Sequence, residues 1–291
     1  MDVRPALREW YRPRRLAYPW RQLRPDPYRV LVSEVMLQQT QASRVSPAYR
    51  AFLRRFPTVV ALASASRREV LEAWDGLGYN RRAVALSEAA RAIVADHGGR
   101  LPADPEALIK LRGVGPYTAA AVASIGHGVP VAAVDTNVAR VLARAALGRE
   151  RHHVPAAQLR RAADEWLDLS DPGAWNQALM DLGREVCRPK PRCEACPIFD
   201  ACRFRRSSSV ARRPQSRRQP RFRGSSRQLR GAVIRILRTT PSATIGALAL
   251  AAGEPPERVS GAVRALAAEG LVTAGPAALA GRPAGRVRLG D

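Results

Sequence analysis

This chain of 291 residues has few lysines, few cysteines and no long apolar runs. No stretch of about 18 apolar residues occurs, so we expect no membrane span. The first fifteen residues, MDVRPALREWYRPRR, lack the apolar core of a secretory signal, which predicts a cytoplasmic protein. The four cysteines all lie between Cys187 and Cys202. In a cytoplasmic protein they are not expected to form disulfides.

Acidic residues are few beside the basic ones. The chain has 48 lysines and arginines against 25 aspartates and glutamates, a net charge of +23. Only Lys110 and Lys190 are lysines, a preference for arginine that a GC-rich genome would produce. Genome composition does not explain the excess of base over acid, however. That excess predicts a polyanionic partner such as nucleic acid.

Helical patterns fill most of the chain. The length suggests about two domains. Residues 30–182 read as alanine-rich amphipathic helices separated by short turns, for example at residues 75–78 and 97–99. No strand alternation persists there, so we predict an all-α fold for this part.

The C-terminal third changes character. Residues 203–230 contain eleven arginines and no acid, which predicts a basic flexible linker at 203–226. Helices are predicted at 227–238, 243–252 and 256–269, followed by turn-rich sequence ending in Arg286 to Leu289. This order is typical of a winged helix, although a simple three-helix packing module would have the same pattern. The predicted domains are a core (1–202), the linker, and a winged-helix-like α(+β) domain (227–291).

Residues 33–41 read SEVMLQQTQ and place polar groups beside an apolar stripe. Tyr28, Leu31, Val32, Val35 and Met36 recur at helical spacing and predict a buried face. A second face is predicted to contain Glu34, Gln38 and Gln41. A solvated surface is the simpler interpretation of that face. The absence of arginine from it favours a second interpretation, in which the carboxyl and amides contact nucleic-acid bases.

The cysteines follow the pattern C-x5-C-x2-C-x5-C. Four thiolates so close together suit either a tetrahedral zinc site or a cubane iron–sulfur cluster, and the residues leave both open. Arg188, Lys190 and Arg192 in the first loop would place cations beside DNA phosphates.

Two further motifs precede predicted helices. Gly113, Gly115 and Pro116 predict a tight turn before a helix whose first N–H groups could bind a phosphate. Asp135, in Val-Asp-Thr-Asn-Val, has the position of a helix N-cap. It is also a second carboxylate to match Glu34. Glycosidic hydrolysis typically uses one protonated carboxyl and one ionised carboxylate beside the oxocarbenium-like transition state.

Together these motifs resemble those of the helix-hairpin-helix DNA glycosylases, which include endonuclease III, and most closely the adenine DNA glycosylases of the MutY type. The resemblance extends over residues 19–202 and implies a two-lobed helix-hairpin-helix core with an iron–sulfur cluster loop. Its most specific motif is SEVMLQQTQ. The others are PWR (19–21), RFPTV (55–59), GLGY (76–79), the glycine turn, VDTNV (134–138), NQALMDLG (176–183) and the cysteines.

The resemblance implies catalytic roles for four residues. Glu34 matches the general acid that protonates the flipped adenine. Asp135, with Asn137 beside it, matches the aspartate that stabilises the oxocarbenium ion. Tyr117 matches a position at which related lyases have lysine; tyrosine cannot form a Schiff base, so strand cleavage is not expected.

The resemblance also implies binding roles. Gln38 and Tyr79 match residues that enter the base stack. The adenine-pocket and other DNA-contacting positions are Arg21, Gln177, Gln39, Gly113 and Gly115. The ligands of a 4Fe-4S cluster are Cys187, Cys193, Cys196 and Cys202. The implied partner is double-stranded DNA with a mispaired or damaged base, bound by a monomer located in the cytoplasm at the nucleoid.

Three features depart from the family pattern. The first cysteine loop has five residues where six are usual, and Asn80 replaces a common second tyrosine. Residues 230–291 do not resemble the Nudix-like domain that recognises 8-oxoguanine in many members. The resemblance of residues 19–202 nevertheless implies excision of adenine opposite 8-oxoguanine or guanine. The alternatives are a glycosylase for another mispaired base, such as thymine opposite guanine, and a non-catalytic iron–sulfur DNA-binding regulator.

Overall fold

The structure, a computed structural model, describes residues 2–23, 25–206 and 222–290, and helices predominate in them. In chain order the helices are α1 (Arg4–Tyr11), α2 (Pro27–Leu37), α3 (Ala42–Arg55), α4 (Val59–Ala63), α5 (Arg67–Ala73), α6 (Arg81–His97), α7 (Pro105–Ile109), α8 (Pro116–Ala121), α9 (Thr136–Ala145), α10 (Ala156–Trp166), α11 (Pro172–Glu185), α12 (Arg203–Arg206), α13 (Ser226–Thr239), α14 (Ile245–Ala252), α15 (Pro256–Ala268) and α16 (Pro276–Leu279). The strands are β1 (Ala243–Thr244), β2 (Val272–Ala274) and β3 (Arg286–Leu289). The all-α prediction for the first two thirds is confirmed. In the parts of the chain that the structure covers, no helix is both long and apolar enough to cross a membrane.

Two compact units divide the chain. The first comprises residues 1–49 and 95–214, and the second comprises residues 50–94 and 215–291. The domain boundaries at 202 and 227 stay a prediction from composition. Most of the predicted linker, residues 207–221, lies outside the described residues.

The first unit is built on a helical core to which α1, α9, α10 and α11 contribute. Leu7, Leu142, Leu159, Trp175 and Leu182 are among its buried side chains. Capping residues mark the start of several helices in the first unit, including α2. Asp26 accepts the backbone N–H of Arg29 at the start of α2, where Pro27 takes the first helical position. The buried stripe predicted for α2 is confirmed, and the burial extends around most of the helix.

A helix-hairpin-helix connects α7 to α8 in the same unit. Asp104 caps α7 by accepting the N–H groups of Glu106 and Ala107. The turn then reverses at Gly113, whose φ of +79° favours glycine. Gly115 is the N-cap of α8 and Pro116 begins the helix, as the sequence predicts.

The second unit combines α4–α6 with a C-terminal module, defined here as residues 222–290. The module has three main helices, α13–α15, and an antiparallel sheet of order β1-β3-β2, which is the predicted winged-helix arrangement. Residues 243–244, predicted as helix, instead form β1, because Thr244 is the extended N-cap of α14. On β3, Val287 and Leu289 are buried while Arg286 and Arg288 are exposed, opposite Thr244 and Thr273.

Candidate active site

A cavity of about 920 Å³ in the first unit contains most of the residues selected from the sequence. Helices α2, α8, α9 and α11 contribute to its walls. The selected residues that line it are Arg21, Glu34, Gln38, Gln39, Tyr117, Asp135, Asn137 and Gln177. The fold therefore brings together side chains that are up to 156 positions apart in the sequence.

Glu34 is a buried carboxyl in this cavity. Its exposed fraction is 7%, so the interpretation of Glu34 as part of a solvated face is wrong. The hydroxyl of Tyr117 donates a hydrogen bond of 2.8 Å to Glu34 Oε2. Burial raises the pKa of Glu34 to about 7; the Tyr117 hydrogen bond opposes this rise, and the negative charge of Asp135 adds to it. Glu34 can therefore be protonated or ionised near neutral pH.

Asp135 is a helix cap and a cavity residue at once. Its Oδ1 accepts the backbone N–H groups of Asn137 at 2.9 Å and Val138 at 2.7 Å, which confirms the N-cap prediction for α9. Its Oδ2 accepts Asn137 Nδ2 at 2.8 Å. Three N–H donors thus fix the orientation of this carboxyl at the edge of the cavity.

A buried polar network lies beside the carboxyl pair. Arg21 makes a two-pronged ion pair with Asp181, at 2.8 and 3.0 Å, and also donates to the hydroxyl of Tyr11 at 2.7 Å. Tyr11 in turn donates to Gln177 Oε1 at 2.7 Å. This chain of contacts orients the two predicted pocket residues, Arg21 and Gln177. Tyr11 and Asp181 were not selected from the sequence, although Asp181 lies within the NQALMDLG motif.

The glutamine motif has a different backbone from the predicted one. Helix α2 ends at Leu37, Gln38 leaves the helical region with ψ of 111°, and Gln39 has a φ of +57°. The prediction that Glu34, Gln38 and Gln41 share one helical face is therefore wrong. Gln38 Nε2 instead lies 3.5 Å from both the Gly113 carbonyl and the Thr118 hydroxyl, which places it beside the hairpin turn.

Besides the four cysteines, three selected residues lie away from the cavity lining. Gly113 and Gly115 form the hairpin turn described above. Tyr79 belongs to the second unit, where its side chain is 44% exposed. Tyr79 is not one of the residues that line the cavity of the first unit.

The cysteine loop packs against the core of the first unit. Cys187, Cys196 and Cys202 contact the buried apolar cluster, and Cys193 is exposed. Burial raises the pKa of the Cys196 thiol to about 11, and the other three sulfurs are close enough to add to this rise. Within the described ranges, no three histidine, cysteine or acidic side chains form a ready site for a single metal ion.

Arginine side chains join the loop to α9. Arg140 donates from Nε to the Cys187 carbonyl at 2.7 Å and from Nη2 to Asn137 Oδ1 at 2.8 Å. Arg144 donates to the Arg188 carbonyl at 2.7 Å and lies 3.9 Å from Cys187 Sγ. A continuous set of hydrogen bonds therefore connects Asp135, through Asn137 and Arg140, with the backbone of the cysteine loop.

Known proteins share both the sequence and the fold of this chain. Residues 32–168 match a family model described as HhH-GPD superfamily base excision DNA repair protein. The adenine DNA glycosylase of Mycolicibacterium smegmatis is 40% identical over 245 residues, which cover 83% of this chain and 83% of the relative. The same-named protein of Mycobacterium tuberculosis H37Rv is 42% identical over 236 residues, covering 80% of this chain and 77% of the relative. The adenine DNA glycosylase of Homo sapiens is 43% identical over 213 residues, which cover 69% of this chain and 39% of the human protein.

Solved structures agree with these matches. A thermostable thymine-DNA glycosylase has a TM-score of 0.64 and 32% identity, covering 70% of this chain and 95% of that one. Endonuclease III in a non-covalent DNA complex has a TM-score of 0.58 at 24% identity, covering 69% and 94%, and this likeness concerns the fold alone. The chain belongs to the adenine DNA glycosylase family, within the HhH-GPD superfamily of base excision DNA repair proteins.

Proposed function

We propose that this protein hydrolyses the N-glycosidic bond of adenine mispaired with 8-oxoguanine or guanine in double-stranded DNA. The observation that carries the proposal is the buried Glu34, with a pKa of about 7, in the same cavity as Asp135. This pair suits a reaction that needs one proton donor and one anion. A DNA-binding regulator would need neither group in a cavity. The names of the relatives agree with adenine as the substrate base.

Glu34 is the proposed general acid. The target base must leave the helical stack to reach a buried carboxyl. Tyr117 occupies Glu34 Oε2, which leaves Oε1 to carry the proton. Transfer of that proton to adenine lets the base depart with the electron pair of the glycosidic bond. With a pKa of about 7, the protonated form of Glu34 is well populated at neutral pH and can still donate its proton readily.

Asp135 is the proposed stabiliser of the sugar cation. Breaking the glycosidic bond leaves positive charge on the deoxyribose, and a carboxylate beside it lowers the free energy of the transition state. The three N–H groups that Asp135 accepts hold it in position before the reaction begins. Water then adds to the sugar cation and releases a proton to the solvent, from which Glu34 regains the proton it gave to adenine. The DNA keeps an abasic site.

Tyr117 makes the enzyme a glycosylase without lyase activity. A Schiff base requires an amine, and this position presents a phenol that is bonded to Glu34. The DNA strand is therefore expected to stay intact after the base is released. Borohydride should trap no covalent protein–DNA adduct.

We further propose that Cys187, Cys193, Cys196 and Cys202 bind a 4Fe-4S cluster. The donor set fits, because it consists of four thiols in one loop whose sulfurs lie close enough to influence one another. When bound, the cluster would be structural and would order the loop of residues 187–202. Arg188, Lys190 and Arg192 in that loop could then contact DNA phosphates.

The DNA backbone is expected to be bound through several elements of a single protein chain. The hairpin with Gly113 and Gly115 is one, since its turn exposes backbone groups before α8. Gln38 and Tyr79 are the proposed contacts within the base stack, and Gln39 is a further proposed contact with the DNA. This arrangement assigns sequence-independent affinity to the backbone contacts and lesion recognition to the base contacts.

Release of free base from a panel of duplexes tests the proposed function. The panel contains adenine opposite 8-oxoguanine, adenine opposite guanine, thymine opposite guanine, and fully paired DNA. We expect free adenine from the first two duplexes only, with strand cleavage only after alkali or heat. Release of thymine alone would support the alternative mismatch glycosylase. Tight binding without release from any duplex would support the regulator.

A further inference from the structure

Arg68 of α5 joins the C-terminal module to α5. Its guanidinium donates to the carbonyls of Leu237 and Thr240, both at 3.1 Å, and to that of Arg238. These carbonyls are at the C-terminal end of α13, where helices leave acceptors without intrahelical partners. One cation therefore satisfies three carbonyls at the negative end of the α13 dipole.

Arg238 makes the reciprocal contact. Its Nη1 donates to the Leu71 carbonyl of α5 at 3.1 Å, and its Nη2 forms an ion pair of 2.7 Å with Asp75. Each helix thus contributes an arginine to the C-terminal end of the other. We call Arg68 and Arg238 the arginine clasp. The side chain of Arg238 is 11% exposed, whereas that of its ion-pair partner Asp75 is 67% exposed.

Asp75 begins the turn that leads to Tyr79. Tyr79 has a φ of +48°, an unfavourable backbone conformation for a bulky residue, and its ring is exposed. Two side chains restrain the far end of the turn: Trp74 Nε1 and Arg82 Nη2 donate to the Gly78 carbonyl at 3.1 and 3.2 Å. Arg82 also lies over the Tyr79 ring, 5.6 Å from its centre. The near end is bonded to Arg238.

We propose that the C-terminal module positions Tyr79 through the arginine clasp, with Arg238 as the positioning residue. A strained backbone persists only where its surroundings determine it, and Arg238 supplies one of those restraints from a separate part of the sequence. An exposed aromatic ring held in a fixed position can insert into a base stack at a lower entropic cost than a free one. The module would thereby influence base excision without itself reaching the base. The link to excision rests on the proposed function; the restraint of the turn does not.

Hydrogen exchange of the free protein tests the restraint without DNA. Arg238→Met keeps the aliphatic stem and removes the donors, and Asp75→Ala removes an acceptor that is 67% exposed. Both should accelerate amide exchange in the peptide 74–82. The matched controls are Arg235→Met, which removes an exposed charge from the same helix, and Asp96→Ala, which removes an exposed carboxylate of α6. Exchange at the wild-type rate in both clasp variants would overturn the proposal.

Single-turnover kinetics at saturating enzyme test the consequence for base release. Losing one ion pair and its hydrogen bond should slow release of adenine opposite 8-oxoguanine by roughly three- to tenfold. Arg238→Lys, which restores the charge, should recover part of the rate. In a Tyr79→Asn background, which removes the ring while tolerating a positive φ, Arg238→Met should cause no further loss.

The combination of results separates the two proposals. Equal losses from Arg238→Met with and without the Tyr79 ring would show that the arginine acts elsewhere, and would overturn the positioning role. A wild-type protein that releases no base from any duplex would refute the proposed function. In that event the hydrogen-exchange result alone decides whether the clasp restrains the turn.

Discussion

Replacing Glu34 by glutamine should stabilise the fold while it removes activity. The carboxyl is almost fully buried, and burial disfavours its ionised form. Glutamine has nearly the same shape, stays neutral at every pH, and offers an oxygen to the Tyr117 hydroxyl that now donates to Glu34. The substitution therefore removes a buried charge and keeps the hydrogen bond.

The size of the effect follows from the pKa. In the folded protein the pKa of Glu34 is raised from 4.5 to about 7. Below pH 4.5 Glu34 is protonated in both the folded and the unfolded chain, and its full contribution to stability is present. As the pH rises from 4.5 to 7, Glu34 ionises in the unfolded chain but stays protonated in the folded protein, so that contribution is lost. Since one pKa unit is worth about 1.4 kcal/mol, the wild-type protein should lose about 3 kcal/mol by pH 8 relative to Glu34→Gln.

Urea unfolding of the two proteins between pH 5 and pH 8, followed by tryptophan fluorescence, measures this difference. The gap in unfolding free energy should be small at pH 5 and widen to about 3 kcal/mol at pH 8. The control is Glu165→Gln, which removes an exposed carboxylate and should change stability by less than about 0.5 kcal/mol throughout. A gap that does not grow with pH would refute the burial argument.

Three more substitutions or measurements test other parts of the site. Asp135→Asn should slow single-turnover base release on the order of 10²-fold with helix content unchanged, because asparagine also caps α9; a near wild-type rate would leave Asp135 as a cap only. Protein purified without oxygen should contain about four irons with labile sulfide, and Cys196→Ser should lose both together with DNA affinity; zinc without sulfide would contradict the cluster. Arg286→Gln with Arg288→Gln should reduce the slope of log affinity against log salt by about 2, since both side chains are exposed on β3; an unchanged slope would show that this face does not meet phosphates.

The helical pattern could be predicted from the sequence because apolar spacing and caps are local signals. The buried stripe of α2, the glycine hairpin and the Asp135 cap all follow from neighbouring residues. The end of α2 could not be predicted in this way. No glycine or proline marks it, and Gln38 and Gln39 leave the helix in a place where contacts with Gly113 and Thr118 hold Gln38.

The burial of single side chains and their partners from distant parts of the sequence could not be predicted either. Spacing alone treated Glu34 as equivalent to Gln41, whereas packing makes it a buried acid with a raised pKa. Arginine is so common in this chain that the sequence does not show which arginines form buried or structural contacts. Only the fold shows that Arg21 pairs with a buried aspartate, or that Arg68 and Arg238 join two helices through contacts between residues about 170 positions apart.

The pH dependence of single-turnover adenine release tests the central claim most directly. With wild-type protein and adenine opposite 8-oxoguanine, the rate should be level below pH 7 and fall about tenfold per pH unit above it, because Glu34, with its pKa of about 7, must be protonated to act as the acid. Glu34→Gln should bind the same duplex and release no adenine at any pH. A wild-type rate that stays level to pH 9, or adenine release by Glu34→Gln at a comparable rate, would contradict the assignment of Glu34 as the general acid.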